Sequence, residues 1–260
     1  MTTDSARQST SGELLRLWTK QLIRAEFHGT KAGVAWIFVQ PLLMALVFTV
    51  AFSAFARVSS NGEPYALSFL AGYVPWTFFV EVVNKSSRSV ISNANLMSHF
   101  SFRRHLVVLS IILSKLVDLT VGIVVIFGLM LWYGQTPSWR IVFVVPVLGG
   151  FALLAAGVGL FLATATAKYR DISNLLQPAI RSLFYLSPII YPIETIPDQY
   201  LDGYLLNPIA AFTVGIRDSI FRDELRYPGS LALAFATSIV VFGIGLAFFS
   251  HHEADFSDIR

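Results

Sequence analysis

The 260-residue chain contains no cysteine, which excludes disulfides, thiolate catalysis and cysteine-ligated metal centres. Compartment stays open, because a cysteine-free chain works in either redox environment. Charge is scarce as well: Asp, Glu, Lys and Arg make up 13% of the residues against 55% hydrophobic. With a mean hydropathy of +0.63, that balance excludes disorder and is unusual for a soluble domain of this length. The sequence has no G-x-x-x-x-G-K-[ST] segment, so it does not bind ATP through a P-loop. It carries no recognisable Ser-His or Cys-His motif, and catalysis is the weaker class. His251 and His252 are adjacent, so on a helix they point in different directions and leave a metal-ligand set incomplete. No internal repeat of the kind that marks many secondary transporters is present.

What fills the chain instead is a series of runs with few or no charges: Gly33 to Ala56, Tyr65 to Val80, Leu119 to Trp139, Ile141 to Ala167, Ile172 to Ile193 and Tyr227 to Ser250. Most reach the roughly 20 residues that a spanning helix needs. The reading is an all-α integral membrane protein with six transmembrane helices. The second run is short unless Glu81 to Asn84 extend it, and the fifth contains Arg181. A charged, amphipathic N-terminus precedes the first run by about thirty residues, unlike a cleaved signal peptide.

Lys and Arg set the orientation. Arg7, Arg16, Lys20, Arg24, Lys31, Lys85, Arg88, Arg103, Arg104, Lys168, Arg170 and Arg260 fall on one side, whereas Arg57, Arg140, Arg217, Arg222 and Arg226 fall on the other. Lys115 and Arg181 lie within runs. The positive-inside rule then puts both termini in the cytoplasm, and an even number of spans agrees. Although the pI is about 9.2, the basic residues border hydrophobic runs and form no continuous arm, so no nucleic-acid partner is expected.

Three units follow: residues 1–32 as an N-terminal arm and interface helix, 33–250 as the transmembrane domain, and 251–260 as a cytoplasmic tail. Met1 to Gly12 are polar and expected to be mobile. From Glu13 to Phe27, Leu14, Leu17, Trp18, Gln21, Leu22 and Ala25 form a helical stripe opposite Arg16, Lys20 and Arg24, as in a helix lying at the headgroup plane. It meets a partner or simply anchors the chain. Residues 84–105 form a polar cytoplasmic segment. Residues 192–227 face the other side, and their charge-free stretch from Gly203 to Ile216 is too short to span; it is expected to dip into the outer membrane half as a re-entrant helical hairpin, or to rest outside as a loop.

Ionisable residues in or near apolar runs are candidates for function by default. Lys115 and Asp118 are i, i+3 neighbours, expected to neutralise each other near the cytoplasmic start of span three. Glu81 is expected to snorkel, and Arg181 to face a partner helix or a cavity. Gly149, Gly150, Gly157 and Gly159 suit close helix packing. Trp36, Trp76, Trp132 and Trp139 read as interfacial anchors, although an aromatic surface also suits the C–H faces of sugars.

Several segments, in order, resemble the permease subunits of type-2 ABC exporters, particularly those moving lipid-linked O antigen, capsule or teichoic acid. They are Gly33-x-x-Trp36 with Pro41, Gly72-x-x-Pro75-Trp76-x-Phe78-Phe79, Asn95-Leu96 with Phe102-x-Arg104, and Tyr169-Arg170-Asp171-Ile172. Ser187-Pro188-Ile189-Ile190-Tyr191, Ile196-Pro197 and Asn207-Pro208 with Arg217 complete the set. Members often read Phe-Pro-Arg before span three, where this chain has Phe102-Arg103-Arg104; the proline would favour a helix's first turn.

The resemblance implies two permease copies pairing with two P-loop ATPase subunits, which would bind the ATP and Mg that this chain does not. It implies coupling residues at Trp18, Arg103, Arg104, Tyr169, Arg170 and Asp171, and an external gate at Ser187, Pro188, Tyr191, Asn207 and Pro208. A lipid-linked glycan would pass near Trp76, Phe79, Arg181 and Tyr185 in the bacterial inner membrane. Three other readings stay open: the same architecture exporting a drug or smaller lipid, an ion-coupled transporter with Glu81, Asp118 and Arg181 as a relay, and a membrane enzyme.

Overall fold

Hydropathy and packing divide the labour among the helices. The computed structural model describes residues 2–27, 33, 35–55, 63–93, 104–169 and 171–253, and among these the chain is all-helical. Helix α1 runs over Thr2–Phe27, back through the polar segment expected to be mobile. Helix α2 covers Ala35–Phe48 and continues as π-helical turns over Thr49–Phe55. Helices α3 and α4 are Tyr65–Ser92 and His105–Trp132. A 3-10 turn over Trp139–Phe143 leads into α5, Val144–Lys168. Then follow α6 (Ile172–Tyr185), a short 3-10 turn at Ile193–Thr195, α7 (Asp198–Tyr204), α8 (Pro208–Phe221) and α9 (Pro228–His252).

Five segments among the described residues are long and apolar enough to cross a membrane: Ala35–Phe52, α3, α4, Trp139–Lys168 and α9. At 28 residues, α3 is about 42 Å long, beyond a hydrocarbon core of about 30 Å. It extends through Glu81 and Lys85 to Ser92, so the second run is not short. The third span differs more. It begins at His105 and ends at Trp132, which places Lys115 and Asp118 inside the helix rather than near its start; Trp139 opens the next element.

The fifth run also departs from expectation, because α6 stops at Tyr185 after 14 residues, about 21 Å. Pro188 is the cause: a proline disfavours helical backbone in the residue before it and supplies no N–H. Ser187, Pro188, Ile189 and Ile190 instead form a buried turn. Beyond it, α7 and α8 make a helix-turn-helix in which Asn207 caps α8, its side-chain oxygen accepting from the Ile209 amide at 3.0 Å. Pro208 occupies the first turn, where its missing N–H costs nothing.

Helix α3 is the centre of the domain: 78% of its most apolar window is buried inside the protein, against 6% for α2 and 22% for α9. It packs against α2, α4, α5 and α8. A file of rings crosses the core, with Trp76 to Phe79 at 5.8 Å, Phe79 to Phe151 at 5.8 Å, Phe151 to Phe212 at 5.7 Å and Phe212 to Phe235 at 5.3 Å. Trp76 is therefore a core residue, not an interfacial anchor. Trp36, Trp132 and Trp139 are exposed, as anchors should be.

The tightest helix pair is α5 against α9. A Cβ on Gly245 would lie 2.3 Å from the Gly157 carbonyl oxygen, and one on Gly157 would lie 2.6 Å from the backbone of Phe242. Gly157 thus has the packing role its sequence context suggests, whereas Gly149 meets nothing within 4 Å. Gly245→Ala should lower the thermal unfolding midpoint in detergent by a shift corresponding to about 2 kcal/mol. Gly243→Ala, in open space, should leave it within error.

Candidate functional site

Two polar assemblies sit toward opposite ends of the bundle. At the α1 end, Lys115 of α4 is 1% exposed and surrounded by carboxylates. Its ammonium donates to Asp118 at 2.6 Å and to Glu26 of α1, and lies 3.6 Å from Glu81 of α3. Lys85 completes the group, 3.3 Å from Glu26 and 3.6 Å from Glu81. The Lys115–Asp118 pair is present as the spacing suggests. Glu81 belongs to the same network, although its side chain remains 46% exposed. Burial raises the Glu26 carboxyl, but Lys115 and Lys85 outweigh it and hold the group below its ordinary range.

These charges fasten α1 to the domain, because α1 packs on α4. Its docked side differs from the stripe read in the sequence: Leu14, Leu15, Trp18, Leu22 and Ile23 are half-buried, while Leu17, Gln21 and Ala25 are exposed. Trp18 and Lys85 border a cavity of about 780 Å³ that also reaches Asn84, Ser110 and Gln177. Gln177 donates to Asn84 at 2.8 Å and ties α6 to α3.

The other residues assigned to this end separate into distinct settings. The Arg104 backbone amide donates to the Glu253 carboxylate at 2.8 Å, and its guanidinium donates to the Glu253 carbonyl, joining the start of α4 to the end of α9. Tyr169 ends α5 and is 57% exposed. Asp171 precedes α6 and is exposed. Arg103 and Arg170 lie outside the described residues.

At the opposite end, the non-helical turn after α6 is held by Arg217 of α8. Its Nε donates to Ser68 O at 2.9 Å, one terminal nitrogen to Ile189 O at 2.8 Å and the other to Tyr191 O at 3.2 Å. Backbone acceptors released where a helix breaks must find partners inside the protein at this depth; the guanidinium fork supplies three donors at once. Arg217 is thus buried rather than solvated in a loop. Gly72 makes room for it: a Cβ there would lie 3.2 Å from the guanidinium and 3.3 Å from the Ile189 backbone.

Further bonds knit the same turn. Tyr65 donates to Ile190 O at 2.6 Å, and Asn207 donates to Leu186 O at 3.2 Å and Ser187 Oγ at 3.0 Å. Tyr191 donates to Tyr185 O at 2.6 Å, with its hydroxyl 3.0 Å from that of Tyr204. Ser187, Tyr191 and Asn207 are therefore brought together, with Pro188 buried beside them and Pro208 starting α8. An ion-pair group lies next to them: Asp218, 1% exposed, binds Arg226 at 2.8 Å, and Glu194 binds Arg222 at 2.9 Å and also Arg226. Burial raises the Glu194 carboxyl, yet its backbone hydrogen bond and the two guanidinium groups leave it lowered.

The four pathway candidates divide in two. Trp76 and Phe79 are buried among the protein's own rings, while Arg181 and Tyr185 are exposed on α6. Sequence reasoning did not assign Glu26, Asp218 or Glu194 to either assembly. Sequence offset is the reason, since Glu26 and Lys115 are 89 positions apart and no local pattern links them.

The sequence that builds these helices matches a known family. A family model described as ABC-2 type transporter matches residues 13–221. The chain belongs to this family. It is 26% identical over 248 residues to the O-antigen export system permease protein RfbA of Klebsiella pneumoniae, covering 95% of both chains. It is 23% identical to the Myxococcus xanthus O-antigen export system permease protein RfbA, again over 95% of each. The polysialic acid transport protein KpsM of Escherichia coli is 22% identical, with 89% of this chain and 90% of that one aligned. As an ABC-2 type transporter chain, it carries the match from within α1 to the end of α8, so the Lys115 cluster and the turn held by Arg217 lie within the matched region, with Arg222 and Arg226 just past it.

Proposed function

We propose that the chain is the permease subunit of an ATP-driven exporter that carries lipid-linked polysaccharide across the bacterial cytoplasmic membrane. The observation that carries this reading is the near full-length similarity to O-antigen and polysialic acid export proteins. Two copies of the permease work with two ATPase subunits, and those subunits bind ATP and Mg. Both termini face the cytoplasm in this reading, which the distribution of Lys and Arg supports. The α1 assembly receives ATPase movement together with the residues assigned to coupling, Trp18, Arg103, Arg104, Tyr169, Arg170 and Asp171, while the turn held by Arg217 lies at the external gate.

Closure of the ATPases shifts rigid helices and opens a path between the two permeases. The exposed face of α6, including Arg181 and Tyr185, lines it. The α7–α8 pair forms the re-entrant hairpin at the outer side. Arg170→Ala with Asp171→Ala should lower ATP-dependent glycan export by about tenfold, within the usual range of coupling between distant sites, while ATPase binding persists. Export at the wild-type rate in inverted vesicles containing both subunits would remove the coupling role.

A further inference from the structure

The chain between α6 and α8 is fastened along α8 by three holds that differ in kind. At the start of α8, Asn207 bonds to Leu186 O and Ser187 Oγ. Further along, the buried Arg217 serves Ser68 O, Ile189 O and Tyr191 O. At the end, Arg222 and Arg226 bind Glu194, which lies in the 3-10 turn before α7. The first two holds grip backbone carbonyls, whereas the third is an ion pair whose side chains are 35% exposed at Glu194 and 29% exposed at Arg222. The same arginines also meet Asp218, but that carboxylate is 1% exposed and takes the Arg226 amide at 3.1 Å and its Nε at 2.8 Å. Removing a partner from a buried charge is costly, while a solvated ion pair is weak and screened by salt. Asp218 is therefore the fixed member of the group and Glu194 the one that can let go.

The segment that follows Glu194 is built to move with it. Ile193, Leu205 and Val214 form a small core of their own, separate from the main one. Most of residues 194–204 are exposed, and α7 packs extensively on no other helix among the described residues. By contrast, Ile209, Phe212, Ile216 and Ile220 root α8 in the main core. Residues 193–206 thus form a flap lying on an anchored helix. Glu63, just before α3, brings a further carboxylate within electrostatic reach of Arg222 and Arg217. When Glu194 withdraws, Arg222 keeps Glu63 and Asp218 as neighbours and Arg226 keeps Asp218, so neither guanidinium is stranded.

We propose that Glu194 is a releasable clasp: its bonds to Arg222 and Arg226 hold the flap shut on α8, and their release lifts the flap while Asp218 keeps the arginines in place. Assigning that movement to the external gate rests on the export reading above; the clasp itself does not.

The chain has no cysteine, so Thr195→Cys with Glu224→Cys gives a spin-label pair across the clasp that leaves Glu194, Asp218, Arg222 and Arg226 intact. Both labelled positions are exposed. In the full-length chain in nanodiscs, double electron–electron resonance should show one short distance at low ionic strength and a longer one that grows as salt screens the pair. Glu194→Gln should populate the longer distance about fivefold more at low salt, the scale of one exposed ion pair, and remove its salt dependence. Asp218→Asn should instead lower the thermal midpoint. A single distance that neither salt nor Glu194→Gln alters overturns the clasp. A longer distance in Glu194→Gln accompanied by a midpoint as low as that of Asp218→Asn also overturns it, because that is local unfolding rather than release. The gate assignment is tested separately. A membrane-impermeant maleimide should reach Thr195→Cys from outside right-side-out vesicles, and ADP with vanadate, added to the complex with the co-expressed ATPase, should populate the longer distance. Labelling from the inside alone, or a distance that follows salt but not nucleotide, removes the gate role and leaves the clasp standing.

Discussion

Arg217→Leu should abolish recovery of monodisperse protein, or lower its thermal midpoint by about 10 °C where it survives. The side chain serves Ser68 O, Ile189 O and Tyr191 O, and leucine leaves all three without their donor. An unsatisfied buried polar group costs about 1–3 kcal/mol; Ser68 lies within α3 and its carbonyl keeps a helical donor, so the two turn carbonyls set a total on the order of 2–6 kcal/mol, a large part of a typical folding free energy. Water cannot replace the donor cheaply where backbone is enclosed by packed helices. Arg217→Lys should fall between the two, since an ammonium lacks the rigid fork that reaches three carbonyls together. Arg140→Gln is the control: that guanidinium contacts Asp223 O at 2.5 Å in an exposed bond, and the change should be small. A wild-type midpoint for Arg217→Leu would show that other donors satisfy the turn.

The legible part of the molecule is the part governed by one-dimensional hydropathy. The first, fourth and last spans appear in the sequence near their observed positions because no charge interrupts them. The third was displaced by its own chemistry: Lys115 and Asp118 break the apolar run, but their ion pair lets α4 carry both within a continuous helix. The fifth was lengthened for the opposite reason. Ser187 to Ile193 is apolar enough to resemble helix, yet Pro188 ends α6 and Arg217 holds the resulting turn. That guanidinium lies 28 residues from Ile189, and in sequence it reads as one more basic residue outside the membrane.

The candidate site was legible as motifs and not as an arrangement. Asn207-Pro208 reads locally as a helix cap followed by a first-turn proline, and α8 has that start. Its bond to Ser187 is tertiary and spans 20 positions. Likewise, the amphipathic N-terminal segment implies a docked helix, but which face docks depends on α4. Glu26 and Lys115 fix that choice, placing Trp18 and Leu22 inward and Leu17 outward. Trp76 shows the same limit: its distance from the run ends suggests nothing about the rings of Phe79 and Phe184 that enclose it.

Lys115→Met should uncouple α1 from the bundle and lower stability by about 3 kcal/mol, the scale expected when one member of a buried ionic group is removed. The substitution keeps chain length and apolar volume but leaves Glu26, Asp118 and Glu81 with Lys85 as their remaining cation in the group. Partial exposure of the carboxylates reduces the penalty through solvent screening, so the fold should survive. Trypsin cleavage at Arg16, Lys20 and Arg24 should accelerate, while a spin label in α9 remains as ordered as in wild type. ATP-dependent export should fall with α1 docking. Adding Glu26→Gln and Asp118→Asn to Lys115→Met should recover much of the midpoint, because the uncompensated charges are gone; export should stay low if the ionic fastening transmits ATPase movement. Recovery of both stability and export in the neutral triple variant would assign the cluster to packing alone. Unchanged proteolysis in Lys115→Met would show that the apolar face of Trp18 and Leu22 holds α1 without it.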